Sequence, residues 1–276
     1  MVERGLCESR EKAKRAIMAG QVLVAGQVTD KPSAEIATDA AIELKAEEKF
    51  VSRGGHKLEA ALDHFKIRVT GALCADLGAS TGGFTDCLLQ RGAARVHAVD
   101  VGKGQIAYKL RRDPRVTVHD GVNARHLRRD QLGEVVDIVT MDLAFIGLAK
   151  VLPAAKELLK TARGSTGVGV PPSGGAGTPK LPAEAGTPAG RRPVPPAIST
   201  SCDSGVIIAL IKPQFEAGPK DVGKGGVVRD EAVRRRVVDA VKTFATKELG
   251  MRCDGVIESP LLGPAGNKEF LICLRK

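Results

Sequence analysis

Residues 74–100 read CADLGASTGGFTDCLLQRGAARVHAVD. A strand over Leu73–Leu77 runs into the turn Gly78-Ala79-Ser80-Thr81-Gly82-Gly83-Phe84 and then into a helix. Gly78 lets the chain reverse tightly. Gly82 and Gly83 let a ligand approach the main chain and the helix approach the sheet. A dinucleotide-binding loop is the rival reading of a loose glycine pattern. Three acids favour a different ligand. Asp76 precedes the turn, where a carboxylate suits the ammonium of a methionine moiety and opposes a pyrophosphate. Asp100 ends the next strand, where a carboxylate accepts from ribose hydroxyls. Asp120 and Asn123 follow the third strand and suit the adenine amino group. Any one of these is readily a helix cap or a loop solvator; three at successive strand ends face one crevice. The set predicts S-adenosylmethionine, held by Asp76, Gly78, Ser80, Thr81, Gly82, Gly83, Phe84, Asp100, Asp120 and Asn123.

Four charged residues stand where charge is uncommon. Lys57 lies in SRGGHKLEAAL, Asp142 follows VTM, Lys212 follows GVIIALI, and Glu269 precedes FLICL. Charged side chains seldom enter apolar strand ends without a partner. Taken alone, the four read as two structural salt bridges.

These residues need a scaffold. The chain has 276 residues, 43% of them hydrophobic, enough for one large domain and a small one. Aromatics make up 3%, with one Tyr and no Trp, so the core is aliphatic. Recognition of bases on a row of aromatics is excluded with it. The runs ALCADLG, RVHAVDVG, RVTVHDG, VVDIVTMDL, GVIIALIKP and FLICLRK read as buried strands, with helical stretches between most of them. That alternation predicts an α/β, doubly wound, Rossmann-like sheet over 49–160 and 205–276, with the last run as an antiparallel edge strand. Residues 161–204 are rich in Gly, Pro, Ala, Ser and Thr and read as a disordered insertion. The insertion falls just before the Lys212 strand, so that strand's docking decides whether Lys212 joins the other three.

Residues 1–48 differ. Ser9 is an N-cap, Ala13, Ile17 and Met18 form a helical apolar face, and Gly20 is the stop. QVLVAGQVT gives two short strands around Ala25-Gly26, and AAIELKA a third. Arg10, Lys12, Lys14 and Arg15 crowd the helix. The stretch SREKAKRAIMAGQVLVAGQ resembles an S4 RNA-binding domain of α+β type, which implies that this basic helix lies on RNA phosphates. Such domains usually carry an Arg-Leu-Asp lead-in a few residues upstream. Here Met1-Val2-Glu3 stands instead, which points to a short first helix and weaker RNA affinity.

The whole chain resembles the TlyA family, S4-containing ribosomal RNA 2'-O-methyltransferases historically called hemolysins, with an FtsJ-like catalytic domain. VSRGGHKLEAAL, DLGASTGGFTDCLLQRGA, MDLAFI, LIKPQFEAG, VGKGGVVRD and SPLLGPAGNKEF carry the likeness. It implies that Lys57, Asp142, Lys212 and Glu269 form a catalytic tetrad. It also implies methylation of a cytidine ribose in 16S rRNA, 23S rRNA or both, with ribosomal RNA or ribosomal subunits as partner. In that chemistry Lys212 takes the hydroxyl proton or stabilises the developing alkoxide, and no metal is required. The acids favour a charged Lys212; Lys57 and burial oppose it. Base methylation has other marks, an Asn/Asp-Pro-Pro-aromatic motif or a Pro-Cys nucleophile, and neither occurs.

Charge agrees with a polyanionic partner. The formal net charge is +10. Residues 91–130 carry about +6, residues 205–276 about +4, and residues 1–60 about zero. Lys103, Lys109, Arg111, Arg112 and Arg115 form one patch; Lys220, Lys224 and Arg229, in GPKDVGKGGVVRD, form a basic glycine-rich loop. Arg10, Lys12, Lys14, Arg15, Lys103, Arg111, Arg112, Lys220, Lys224 and Arg229 are the expected RNA contacts. The six cysteines form no CxxC pair, and no signal peptide or long apolar run occurs. A reducing cytoplasm is expected, with no metal and no membrane. A hemolysin-like membrane-active protein and a non-catalytic RNA-binding protein are the alternatives; the first needs an amphipathic or spanning segment, and the second leaves the tetrad and the acids without a role.

Overall fold

A computed structural model describes residues 1–18, 20–44, 48–161 and 204–276. The expected insertion at 161–204 falls almost wholly outside the described residues. Two units separate, Met1–Lys49 and Phe50–Lys276.

In the small unit, α1 (Arg10–Met18) is followed by β1 (Val22–Val24), β2 (Gln27–Thr29) and β3 (Ile42–Leu44), paired antiparallel in the order β2-β1-β3. Ser9 caps α1, its Oγ accepting from the Lys12 N–H at 3.2 Å. Ala25 and Gly26 both take positive φ, 48° and 79°, as a two-residue hairpin turn requires. The helix buries Ala13 and Ala16, whereas Met18 is 64% exposed. The apolar face therefore runs through Ala16 and does not reach Met18. Arg10, Lys12, Lys14 and Arg15 are all exposed on the other side, and Lys12 pairs with Glu8.

The large unit begins with α2 (Gly54–His64) and β4 (Leu73–Leu77). Then come α3 (Gly83–Gln90), β5 (Arg95–Asp100), α4 (Tyr108–Arg111), β6 (Val116–Asp120), α5 (Arg129–Leu132), β7 (Ile138–Met141) and α6 (Leu152–Leu158). The chain resumes with β8 (Val206–Ile211), α7 (Pro213–Glu216), α8 (Glu231–Thr243), β9 (Arg252–Glu258) and β10 (Phe270–Arg275). The seven strands lie in the order β6-β5-β4-β7-β8-β10-β9. β6, β5, β4, β7 and β8 pair in parallel; β10 pairs antiparallel with both β8 and β9. Strand order reverses between β4 and β7, which opens a crevice at their carboxyl ends.

One expectation is corrected. The last strand is antiparallel but interior, and the edge belongs to β9. β9 has no fully buried residue and carries Gly255 in its middle, so it lacks the apolar run that marks its neighbours. β8 docks fully, buried at all six positions. Two aliphatic clusters cover the two faces of the sheet. One packs Leu58, Leu62, Leu88, Ile208 and Leu271, the other Leu77, Met141, Leu152, Ile207 and Val237.

Candidate active site

The turn after β4 sets the floor of the crevice. Gly78 has φ 83°, and a Cβ there would sit 2.5 Å from the Asp142 carbonyl oxygen at the end of β7. Gly82 has φ 99° and opens α3, and a Cβ there would strike the Leu110 side chain at 2.3 Å. Ser80 also takes a positive φ, 48°, an uncommon state for a residue with a side chain. It is held by Asp100, whose Oδ2 accepts from the Ser80 N–H at 2.8 Å and whose Oδ1 accepts from the Gly102 N–H at 2.7 Å.

Two cavities flank this turn. One, of about 320 Å³, is lined by residues that include Ser52, Arg53, Gly54, Lys57, Thr81, Gly83, Phe84, Lys212 and Pro264. The other, of about 490 Å³, is lined by residues that include Asp100, Gln105, Asn123, Leu143 and Phe145. Gly78, Ser80, Asp142 and Ala144 line both. The crevice is thus one cleft in two parts, joined at the glycine turn and Asp142.

Of the expected tetrad, Lys57, Asp142 and Lys212 line the first part, and Glu269 lies buried behind Lys57. Lys57 Nζ lies 2.5 Å from Glu269 Oε2, and Lys212 Nζ lies 2.6 Å from Asp142 Oδ1. The pairs differ in burial: the side chains are 9% and 0% exposed in the first, 14% and 25% in the second. The Lys212 contact is close in distance, yet Asp142 Oδ1 has no aligned hydrogen-bond donor. β10 delivers Glu269, α2 delivers Lys57, and the ends of β7 and β8 deliver Asp142 and Lys212. Asp86 in α3 fixes the approach to α2, its Oδ2 accepting from the Val51 N–H at 2.9 Å.

Three of the expected cofactor residues are placed otherwise: Asp76, Asp120 and Gly82, whose Cβ position faces Leu110 and Ile106 and which lines neither cavity. Asp76 is fully buried, and neither cavity touches it. Its Oδ2 accepts from Thr85 at 2.7 Å and its Oδ1 from Thr140 at 3.0 Å. Burial pushes its carboxyl up to about 7; the two hydroxyls oppose this and nearby Asp142 adds to it. Asp76 therefore ties α3 and β7 to β4 and does not meet a ligand's ammonium directly. Asp120 pairs with Arg111 at 2.9 Å and lines neither cavity; that guanidinium holds its carboxyl below the usual range. Asn123 lines the second cavity, and its Oδ1 accepts from the Arg125 N–H at 3.0 Å.

The expected RNA contacts divide as well. In the 91–130 patch, Lys109 pairs with Asp86, Arg111 with Asp120 and Arg115 with Asp113. Arg112 lies over the Tyr108 ring at 5.4 Å. Lys103 stands beside Asp120. By contrast, Lys220, Lys224 and Arg229 are exposed and make no ion pair among the described residues.

Sequence reasoning missed three residues. Arg53 lines the first cavity, exposed and without an ion pair among the described residues. Phe145 lines the second, 90% exposed, with φ 63° and its ring 5.0 Å from Phe215. Glu216 accepts from the Leu148 N–H at 2.7 Å, tying α7 to the loop after β7; burial raises its carboxyl. Their motifs, SRGG, DLAFIG and KPQFE, were the available signal.

The FtsJ-like methyltransferase family model matches residues 50–276, and the S4 domain model matches residues 1–42. The chain is 41% identical to the 16S/23S rRNA (cytidine-2'-O)-methyltransferase TlyA of Mycobacterium tuberculosis, over 100% of this chain and 87% of that one. The chain belongs to the TlyA family of FtsJ-like methyltransferases. Another relative, Hemolysin A of Brachyspira hyodysenteriae, is 34% identical over 97% of this chain and 94% of its own. Among solved structures, a Streptococcus thermophilus protein provisionally named a hemolysin superposes with TM-score 0.67 at 36% identity, covering 99% of this chain and 85% of that one. As a member of the TlyA family the protein is an S-adenosylmethionine-dependent methyltransferase with a small S4 domain ahead of its Rossmann-like sheet. Among its described residues no helix is long and apolar enough to cross a membrane, and no cluster of three or more His, Cys, Asp and Glu suits a metal ion.

Proposed function

We propose that the protein methylates the 2'-hydroxyl of a cytidine ribose in 16S ribosomal RNA, 23S ribosomal RNA or both, with Lys57, Asp142, Lys212 and Glu269 as its catalytic group. The observation that carries this is the meeting of two lysine–carboxylate pairs at one end of a cleft that reaches Asp100 at the other. The M. tuberculosis relative bears that activity in its name.

The cleft fits S-adenosylmethionine. Its two parts meet at Gly78, which lines both and whose missing Cβ lets the turn pack directly on the Asp142 carbonyl. Asp142 lines both parts at that junction, and its Oδ1 is already engaged by Lys212 Nζ at 2.6 Å. Asp100 keeps acceptor capacity for ribose hydroxyls after its two backbone contacts. Ser80, Thr81, Gly83 and Phe84 wall the methionine end and Asn123 the adenine end. When bound, S-adenosylmethionine supplies an electrophilic methyl whose sulfur leaves as a neutral thioether.

The protein's residues then do the rest. Lys212, 14% exposed beside the cavity, meets the sugar oxygen and stabilises its developing negative charge as the hydroxyl proton passes to solvent water, the O–methyl bond forming as the methyl–sulfur bond breaks. Asp142 holds Lys212 in place. Lys57 lines the same cavity, held there by the buried Glu269. Alignment of the hydroxyl supplies much of the rate. The basic loop with Lys220, Lys224 and Arg229, and the exposed face of α1, hold RNA phosphates. Incubation with unmodified ribosomal subunits and labelled cofactor, followed by mapping of the methylated ribose, tests the proposal. Label on a cytidine 2'-oxygen is expected; label on a base, or none, overturns it. Release of dye from vesicles by the purified protein would favour a membrane-active role instead.

A further inference from the structure

Asn267 is 2% exposed, and both ends of its side chain are spent on one distant segment. Its Oδ1 accepts from the Val228 N–H at 2.9 Å, and its Nδ2 donates to the Gly226 carbonyl at 2.9 Å. That segment is the base of the basic loop. Gly226 N–H donates to Gly223 O at 3.0 Å, and Gly223 N–H donates to Val227 O at 3.1 Å. Gly225 and Gly226 take φ of 83° and 75°, so the chain reverses sharply with Lys224 near the tip. Lys220 and Arg229 flank the turn, and none of the three cations is neutralised by an ion pair among the described residues.

The other side of Asn267 leads to the candidate active site. Its carbonyl accepts from the Gly263 N–H at 2.9 Å. Gly263 lies so close to Glu269 that a Cβ would sit 2.4 Å from Oε1. The next residue, Pro264, lines the first cavity. One buried amide therefore joins the segment carrying Glu269 to the charged turn through two hydrogen bonds.

We propose that Asn267 is a positioning residue that sets the basic turn in register with the cavity, so that its cations meet phosphates flanking the ribose to be methylated. The inference rests on the RNA-methyltransferase reading above. An amide is needed because one side chain must both accept and donate. Aspartate keeps the acceptor for Val228 and loses the donor for Gly226. Alanine leaves the buried Val228 N–H without a partner.

Steady-state methylation of unmodified ribosomal subunits tests this, beside calorimetry with S-adenosylmethionine. Asn267→Ala is expected to raise the KM for subunits about tenfold, with kcat and cofactor affinity within about twofold. Asn267→Asp falls between it and the parent chain. The double variant Asn267→Ala/Lys224→Ala loses little more than Asn267→Ala alone, because Lys224 acts only from the held turn. A purely structural role would lower kcat, KM performance and cofactor affinity together. An unchanged KM, a parallel loss of cofactor affinity, or fully additive losses in the double variant overturn the proposal. Should the alanine variant not fold, the aspartate variant reads the same split. If the parent chain methylates no RNA, the reading beneath falls too; if it does and Asn267→Ala matches it, only this inference falls.

Discussion

Lys57 and Lys212 face similar partners in different surroundings, and they are expected to fail differently. The Lys57–Glu269 pair is closed off from water, so removing Lys57 strands a buried carboxylate. Such losses run at about 3–5 kcal/mol. Lys212 stands partly open, and Asp142 beside it can be solvated when the lysine goes. Lys212→Ala is therefore expected to keep its thermal midpoint and cofactor affinity while methylation falls at least ~100-fold. Lys57→Met should lose stability first, visible in a denaturant titration. Normal methylation by the Lys212 variant removes that residue from the reaction. Asp76 makes a separate case. Its carboxyl, pushed up to about 7 by burial, holds a proton in the folded chain at pH values where the unfolded chain has released it. Unfolding then releases a proton, so this contribution to stability is present at acid pH and declines as pH rises from about 4 through about 7. Its full size is on the order of a few kcal/mol. Asp76→Asn should flatten the dependence in that window, measured as the denaturation midpoint against pH. An unchanged slope would show that Asp76 is ionised across the window.

At the level of elements, the β4 turn links fold to chemistry. Its geometry is set by two constraints that no side chain relieves: Gly78 at positive φ, and the Asp142 carbonyl against its α-carbon. Gly78→Ala is expected to cost about 1–3 kcal/mol in stability from backbone strain alone, with loss of measurable cofactor binding by calorimetry. Retained binding would mean that the cleft's two parts need not meet at this turn. The same turn was legible in the sequence, because a short apolar strand broken by glycines has few other uses. Legibility failed where residues serve two masters. Asp76 and Asp120 stand at the expected strand ends, but spacing cannot reveal that Thr85 and Thr140 enclose one and Arg111 occupies the other. β9 went unread because an edge strand needs only one protected face, and its Cys253, Val256 and Ile257 are too sparse to form a run. Helical spacing puts Met18 on the apolar face of α1, yet it is 64% exposed, because the buried stripe runs through Ala13 and Ala16. Glu269 was placed by motif, and only the antiparallel register of β10 with β8 brings it beside Lys57.

For the molecule as a whole, net charge is a poor guide to where RNA binds, because charge already paired within the chain releases few counterions from a polyanion. The formal +10 is unevenly available. In the 91–130 stretch, Lys109, Arg111 and Arg115 each face a carboxylate within 3.0 Å. Lys220, Lys224 and Arg229 face none among the described residues. RNA affinity should report that difference through salt. Each phosphate contact to single-stranded RNA contributes about 0.7 to the slope of log K against log salt. Neutralising Lys220, Lys224 and Arg229 together is expected to lower the slope by about 2. Neutralising Lys109, Arg111 and Arg115 should leave it nearly unchanged, the cost appearing as lower stability once Asp86, Asp120 and Asp113 lose their partners. Filter binding to unmodified ribosomal subunits over a salt series measures both. If the second set lowers the slope and the first does not, the α4 face holds the RNA, and the glycine-rich loop has another purpose.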